Sequence, residues 1–294
     1  MVVPVGSSGS AVPGMLSSDR NSLYAAALRS SPMDAAASPV HSYGSFKLRV
    51  PHDSAPMHDL VREAHSIASQ GRESGLQYEA LMRTELARLL QEKPIFWSRL
   101  WPAGFALGRF LLAQPGALRG CDVLSLGCGL GPEVICAALA GARRVLATDI
   151  EGKALKFVAQ SARDNAVSDR VSTCVYDWNQ PPPPPARGPF DLVLAGDVIY
   201  QDTHAPRLGK ILGALVKPGG SVIFSDSLER PYKEGHQSEL CALLTKDRFQ
   251  QRACHDVDVS ADMPRGTAGV AGGKMVRLLQ YSRARGGAGR AAAG

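Results

Sequence analysis

The stretch DVLSLGCGLGPEV, Asp122 to Val134, joins an apolar run to three glycines at alternate positions, Gly127, Gly129 and Gly131, with Pro132 directly behind them. A strand that feeds such a turn and then a helix makes a nucleotide-cofactor site. The glycines let backbone approach the ligand, and the start of the helix presents free N–H groups. Acids recur at the ends of the next apolar runs: Asp149 closes VLATD, Asp177 follows VSTCVY and Asp197 follows FDLVLAG. Asp149 stands 18 residues beyond Gly131. A carboxylate there can accept hydrogen bonds from both ribose hydroxyls, which calls for a nucleoside without choosing among cofactors.

Two common cofactor signatures fit poorly. A dinucleotide fingerprint needs Gly or Ala where Pro132 stands, and a P-loop needs a Gly-Lys-Ser/Thr that the turn lacks. An NAD-dependent oxidoreductase stays open as an alternative class. The six cysteines show no C-x-x-C pairing and read as reduced core thiols, and Cys254-His255 has no partners at ligand spacing, so no metal site is expected.

From residue 121 short apolar runs alternate with helical stretches. VLSL, RVLAT, VSTCVY, FDLVLAG and SVIFSD read as five strands, with helices around 134–140, 153–162, 206–216 and 238–245 between and after them. Alternation of this kind implies a parallel, doubly wound α/β sheet covered on both faces. QQRACHDVDVS and KMVRLLQYS, separated by a glycine-rich segment, read as a terminal antiparallel hairpin added to the five parallel strands. Upstream, a helix is expected from Pro102 to Ala113. Two more are expected where Leu60, Val61, Ala64, Ile67 and Ala68, then Leu76, Met82, Leu86, Leu89 and Leu90, recur at helical spacing.

The expected organisation is a disordered segment 1–45, a helical extension 46–93, a catalytic domain 94–282 and a disordered basic tail 283–294. The net charge of +6 is largely that of residues 274–294, where Lys274, Arg277, Arg283, Arg285 and Arg290 meet no acid. The rest of the chain is nearly neutral, which disfavours a nucleic-acid substrate. No apolar stretch reaches the length of a membrane span. A cytoplasmic monomer is expected, with a mitochondrial or plastid address as the alternative reading of the Ser- and Ala-rich N-terminal segment. Pro181 to Pro185 is expected in an exposed loop.

The GCGLG turn resembles the first motif of S-adenosylmethionine (AdoMet) dependent methyltransferases with a Rossmann-like seven-stranded sheet. Asp197-Val198-Ile199-Tyr200 is similar to the D-x-x-Y motif of methyltransferase family 16, whose members are largely protein-lysine methyltransferases. PIFWSRLWPAGFALGRFLL, Pro94 to Leu112, is similar to that family's W-P-x-G segment, and KPGG, Lys217 to Gly220, is a less specific match. The likeness runs from about Pro94 to Pro231 and lies nearest the branch containing the electron transfer flavoprotein β-subunit lysine methyltransferase.

The resemblance implies a protein-lysine N-methyltransferase with AdoMet as cofactor and a protein as partner. Another protein side chain such as histidine, a small amine, and a non-catalytic AdoMet-binding adaptor are the alternatives. It implies cofactor contacts from Trp101, Ser125, Gly127, Cys128, Gly129, Gly131, Asp149, Ile150, Asp177, Trp178 and Gly196. Asp177 would reach the adenine amino group, and Trp178 would flank the ring or pack in the core. Asp197 and Tyr200 would meet the incoming amine, or else Asp197 would cap the following helix and Tyr200 would pack internally. Arg230-Pro231 falls where relatives place a substrate-side loop. Position 125 departs from the family, which usually carries Asp or Glu there. Ser125 implies weaker cofactor binding or a compensating acid elsewhere, such as Glu133, and Ser125→Asp should then tighten binding.

Overall fold

The computed structural model describes residues 34–51, 55–70, 76–92, 95–228, 233–260, 263 and 275–285. Residues 1–33, Arg230-Pro231 and 286–294, on which several of the sequence expectations fall, lie outside the described residues. The chain divides into two compact units, one holding residues 52–94 and the other residues 34–51 and 95–294.

In the larger unit, strands β1 (Val40–Tyr43) and β2 (Phe46–Arg49) form an antiparallel hairpin, with Gly44 in the left-handed region at the turn (φ 61°). This corrects the sequence reading, which assigned these residues to a disordered segment and the start of a helical extension. Phe46 and Leu48 alternate inward, and Tyr43 and Phe46 pack on Phe105. Strands of four residues in a Ser-, Ala- and Pro-rich setting are too short to register as a period-2 pattern.

The smaller unit supplies α1 (Ala55–Gln70) and α2 (Leu76–Glu92). Leu60, Val61, Ala64 and Ala68 of the first helix and Met82, Leu86 and Leu89 of the second are buried. His65 of α1 hydrogen-bonds Tyr78 of α2.

The rest of the larger unit is α3 (Pro102–Leu112), β3 (Asp122–Leu126), α4 (Pro132–Leu139), β4 (Arg144–Asp149), α5 (Gly152–Asp164), β5 (Val171–Val175), β6 (Phe190–Gly196), α6 (His204–Leu215), β7 (Val216–Ser227), α7 (Lys233–Lys246), β8 (Phe249–Asp258) and β9 (Met275–Arg283). The seven-stranded sheet runs β5-β4-β3-β6-β7-β9-β8. Strands β3 to β7 are parallel, whereas β9 pairs antiparallel with both β7 and β8. Hence β8 runs with the parallel set and β9 alone is reversed. Every residue of β3 is buried, as are all of β4 but Arg144, because helices cover both faces.

The hairpin is tied to α5. Arg49 Nε donates to Asp164 at 2.6 Å, and the Asn165 amide exchanges hydrogen bonds with the Lys47 backbone at 2.8 and 2.6 Å. Two boundaries differ from expectation. KPGG, expected ahead of the fifth strand, lies within β7, where the pairing with β6 shifts register. Arg283, assigned to the tail, ends β9 and donates to the Val216 carbonyl at 2.5 Å.

Chain order leaves β3 in both directions, through β4 to β5 on one side and β6 to β7 on the other. This is a topological switch point, and the crevice outside the carboxyl ends of β3 and β6 is where such sheets bind ligands.

Candidate active site

The glycine turn leaves β3 into that crevice. Gly127, Gly129 and Gly131 have φ of 62°, 52° and 66°, conformations that strain any other L-residue. The turn is fixed from β4: the Cys128 N–H donates to the Thr148 carbonyl at 3.0 Å, and Thr148 Oγ1 donates to the Ser125 carbonyl at 2.7 Å. Part of the glycine requirement is internal packing. A Cβ on Gly131 would stand 2.9 Å from Val158 of α5, and one on Gly127 would stand 3.0 Å from Val198 and 3.3 Å from the Trp178 ring.

Asp149 ends β4 and braces the turn. Its Oδ2 accepts the Gly129 N–H at 2.8 Å and its Oδ1 the Glu151 N–H at 2.9 Å. Burial pushes its carboxyl above the usual range despite these bonds. Ionised, it keeps lone pairs for further donors. Beside it Ile150 is 62% exposed, and Val175, which pairs in register with Asp149, is 57% exposed. Large apolar side chains so open at a strand end offer surface on which a flat ring can lie. Asp177 follows in the same rim, with Oδ1 accepting from the Asn179 N–H and its side-chain amide at 2.9 and 2.8 Å.

Ser125 and Cys128 are buried. Burial, with Asp149 and Glu133 nearby, pushes the Cys128 thiol well up, so it is a neutral packing group. Ser125 Oγ donates to Glu133 Oε1 at 2.7 Å, eight residues on in the first turn of α4. Glu133 is 2% exposed, and burial pushes its carboxyl up to about 7. An acid therefore stands beside Ser125 after all, supplied by the helix and not the strand.

At the end of β6, Gly196 abuts α3: a Cβ there would lie 3.2 Å from Gly104 Cα. Asp197 follows in the left-handed region (φ 57°) and is buried. Its N–H donates to the Ser225 carbonyl at 2.8 Å, and Ser227 Oγ donates to its Oδ2 at 3.2 Å. The N-cap of α6 is Thr203, six residues further on. A non-glycine residue held at positive φ by its neighbours is the kind of local strain that collects at functional positions.

Tyr200 packs edge-on against Phe96 (centroids 5.8 Å apart) and His204 (4.5 Å). Phe96 in turn meets Trp101 at 6.1 Å, and His204 meets Trp178 at 5.5 Å. Trp101 Nε1 donates to the Phe96 carbonyl at 2.8 Å. The structure thus sets Trp101 in the aromatic series with Tyr200, and brings Trp178 against Gly127 while joining it to the core. The sequence reading passed over Phe96, His204 and Ser227. Phe96 carried a signal, as an aromatic inside the W-P-x-G segment. His204, with Nδ1 2.7 Å from the Val198 carbonyl, carried none.

Residues 95–239 match a family model described as lysine methyltransferase. The chain is similar to the electron transfer flavoprotein beta subunit lysine methyltransferase of Mus musculus, with 31% identity over 141 residues, covering 48% of this chain and 53% of that protein. It is similar to a protein N-terminal and lysine N-methyltransferase of Eremothecium gossypii, with 30% identity over 159 residues, covering 49% and 60%. A ribosomal protein L11 methyltransferase of Azotobacter vinelandii is 36% identical over 115 residues, covering 38% and 35%. The match to the mouse protein spans about half of that relative's length.

Proposed function

We propose that the chain is an AdoMet-dependent N-methyltransferase whose acceptor is a lysine side chain of a protein. The observation that carries this reading is a buried acid, Asp197, one residue before the side chain that packs on the glycine turn. Val198, the residue after Asp197, packs on Gly127. The donor set suits AdoMet. Asp149 offers a carboxylate for the ribose, the exposed Ile150 and Val175 offer a wall for the adenine, Asp177 offers an acceptor for its amino group, and the glycine turn with Cys128 and Trp178 frames the rest. Gly196 keeps side-chain bulk away from Gly104 and the seam between β6 and α3. The relatives' names, which describe lysine and N-terminal methylation, support a protein amine as acceptor.

AdoMet supplies an activated methyl on a cationic sulfur, so little acid–base chemistry is asked of the protein. Its work is to hold the nucleophile in line and exclude water. A lysine ammonium has an ordinary pKa of about 10.4 and lacks a lone pair while protonated. Asp197, fixed by the Ser225 carbonyl and Ser227 Oγ, accepts hydrogen bonds from the incoming amine and orients it. Apolar surroundings and the nearby positive charge favour release of the proton to solvent. With AdoMet bound, the freed lone pair would be held by Asp197 facing the methyl group that the cofactor would supply. Phe96, Trp101 and Tyr200 present ring surfaces for the aliphatic stem.

Replacing Asp197 by Ala is expected to lower methyl transfer to a labelled protein extract by at least about a hundredfold, while AdoMet affinity changes by less than about threefold. Retention of both activities would remove Asp197 from the acceptor role.

A further inference from the structure

We propose that Glu133, reaching back from the first turn of α4, is the carboxylate that holds the cationic methionine end of AdoMet, and that Ser125 positions it. This rests on the AdoMet reading above and names the residue that completes that site. The geometry comes first. Ser125 Oγ donates to Glu133 Oε1 at 2.7 Å, with Ser125 fully buried and Glu133 2% exposed. The other oxygen lies under the first turn of α3, where a Cβ on Gly104 would stand 3.1 Å from Oε2. Gly104 itself abuts Gly196 at the end of β6. The carboxylate therefore sits directly behind the seam between the ends of β3 and β6, one turn of chain from the alternating glycines.

Charge makes the second argument. Among the described residues no lysine or arginine forms an ion pair with Glu133. The titratable groups that face it are Asp149 at the end of β4, Cys128 in the turn and Cys136 on α4, with Arg109 of α3 beyond Cys136. β3 contributes only the neutral Ser125. A buried carboxylate among acids is unfavourable unless a cation completes it, and perturbed acids in a crevice mark functional positions. AdoMet brings an ammonium and a sulfonium. The family's acid at position 125 is thus replaced in space by one eight residues downstream. Ser125→Asp would then set two carboxylates in contact and weaken binding.

Calorimetric titration of the full chain with AdoMet, in buffers of different ionisation heat, tests this. The wild type is expected to bind with proton release at about pH 6.5, because the ligand's charge ionises a carboxyl that is mostly protonated beforehand. Glu133→Gln is expected to bind at least about tenfold more weakly and release no proton, with an unliganded melting temperature equal to or above that of the wild type. A purely structural role would instead lower that melting temperature.

Ser125→Ala is expected to bind about threefold more weakly. Its proton release should move to higher pH, since Ser125 is the partner that lowers the Glu133 pKa. If Glu133→Gln does not fold, an unshifted release in Ser125→Ala overturns the proposal. Wild-type affinity and proton release in Glu133→Gln overturn it while leaving the AdoMet reading intact. No AdoMet binding by the wild type fails that reading itself, and the proposal with it.

Discussion

The two ends of the parallel sheet treat their acids in opposite ways. At the amino end, buried Asp122 starts β3 with Arg143 and Arg144 at 2.6 and 2.9 Å, and half-buried Asp191, second in β6, has the Lys217 ammonium at 2.9 Å and the Asp122 N–H at 2.8 Å. Burial pushes both carboxyls up, but these cations and donors outweigh it and hold them below the usual range. At the carboxyl end, burial lifts Asp149 and Glu133 without a cation to oppose it. The Ser225 hydroxyl there is buried with no hydrogen-bond partner. One end is electrostatically complete. At the other, no cation among the described residues offsets the lift that burial gives Asp149 and Glu133.

Substitutions can break this contrast. The largest effect is expected at the turn, where both demands meet. Gly131→Ala forces a side chain onto φ 66° and within 2.9 Å of Val158, which should cost about 3 kcal/mol in chemical denaturation. Val158→Ala in the same chain should return only the steric part. At the amino end, Asp122→Asn removes the charge and one of the two acceptor oxygens that hold two guanidiniums, and should cost about 2 kcal/mol with AdoMet affinity unchanged. A fall in affinity there would mean that the two ends are coupled.

The smallest effect is a pH trend. Asp122 and Asp191, with depressed folded values, contribute stability above their unfolded pKa of about 3.9, which is lost as pH falls through the lower folded values. Glu133 has the opposite sign. Its folded value near 7 exceeds its unfolded 4.5, so its penalty is absent in acid and grows as pH rises between them. From about pH 6 to about pH 7.5 the unliganded protein should lose about 1 kcal/mol, and Glu133→Gln should remove most of that slope in thermal melts.

The parallel core was legible because its strands are covered on both faces and read as unbroken apolar runs, as in Asp122–Leu126 and Phe190–Gly196. The hairpin at Val40–Arg49 was not, since its inward residues, Phe46 and Leu48, count only once Phe105 and α5 are there to receive them. The glycines, Asp149 and Asp197 could be picked out by position along the chain. The partners that make them a site could not: Ser227 lies 30 residues from Asp197, and the aromatic contacts of Tyr200 come from the segment before α3 and the start of α6. Glu133 was visible as a possible substitute for a missing acid. A glutamate in the first turn of a helix is commonplace, however, and only the fold returns it to Ser125.

The claim that the carboxyl-end crevice holds AdoMet is tested most directly by calorimetric titration of the wild type and Asp149→Ala with AdoMet and with NAD. AdoMet should bind the wild type with a 1:1 isotherm that weakens at least about tenfold in Asp149→Ala, and NAD should bind neither. Binding of NAD to the wild type, with no heat from AdoMet, would contradict the account.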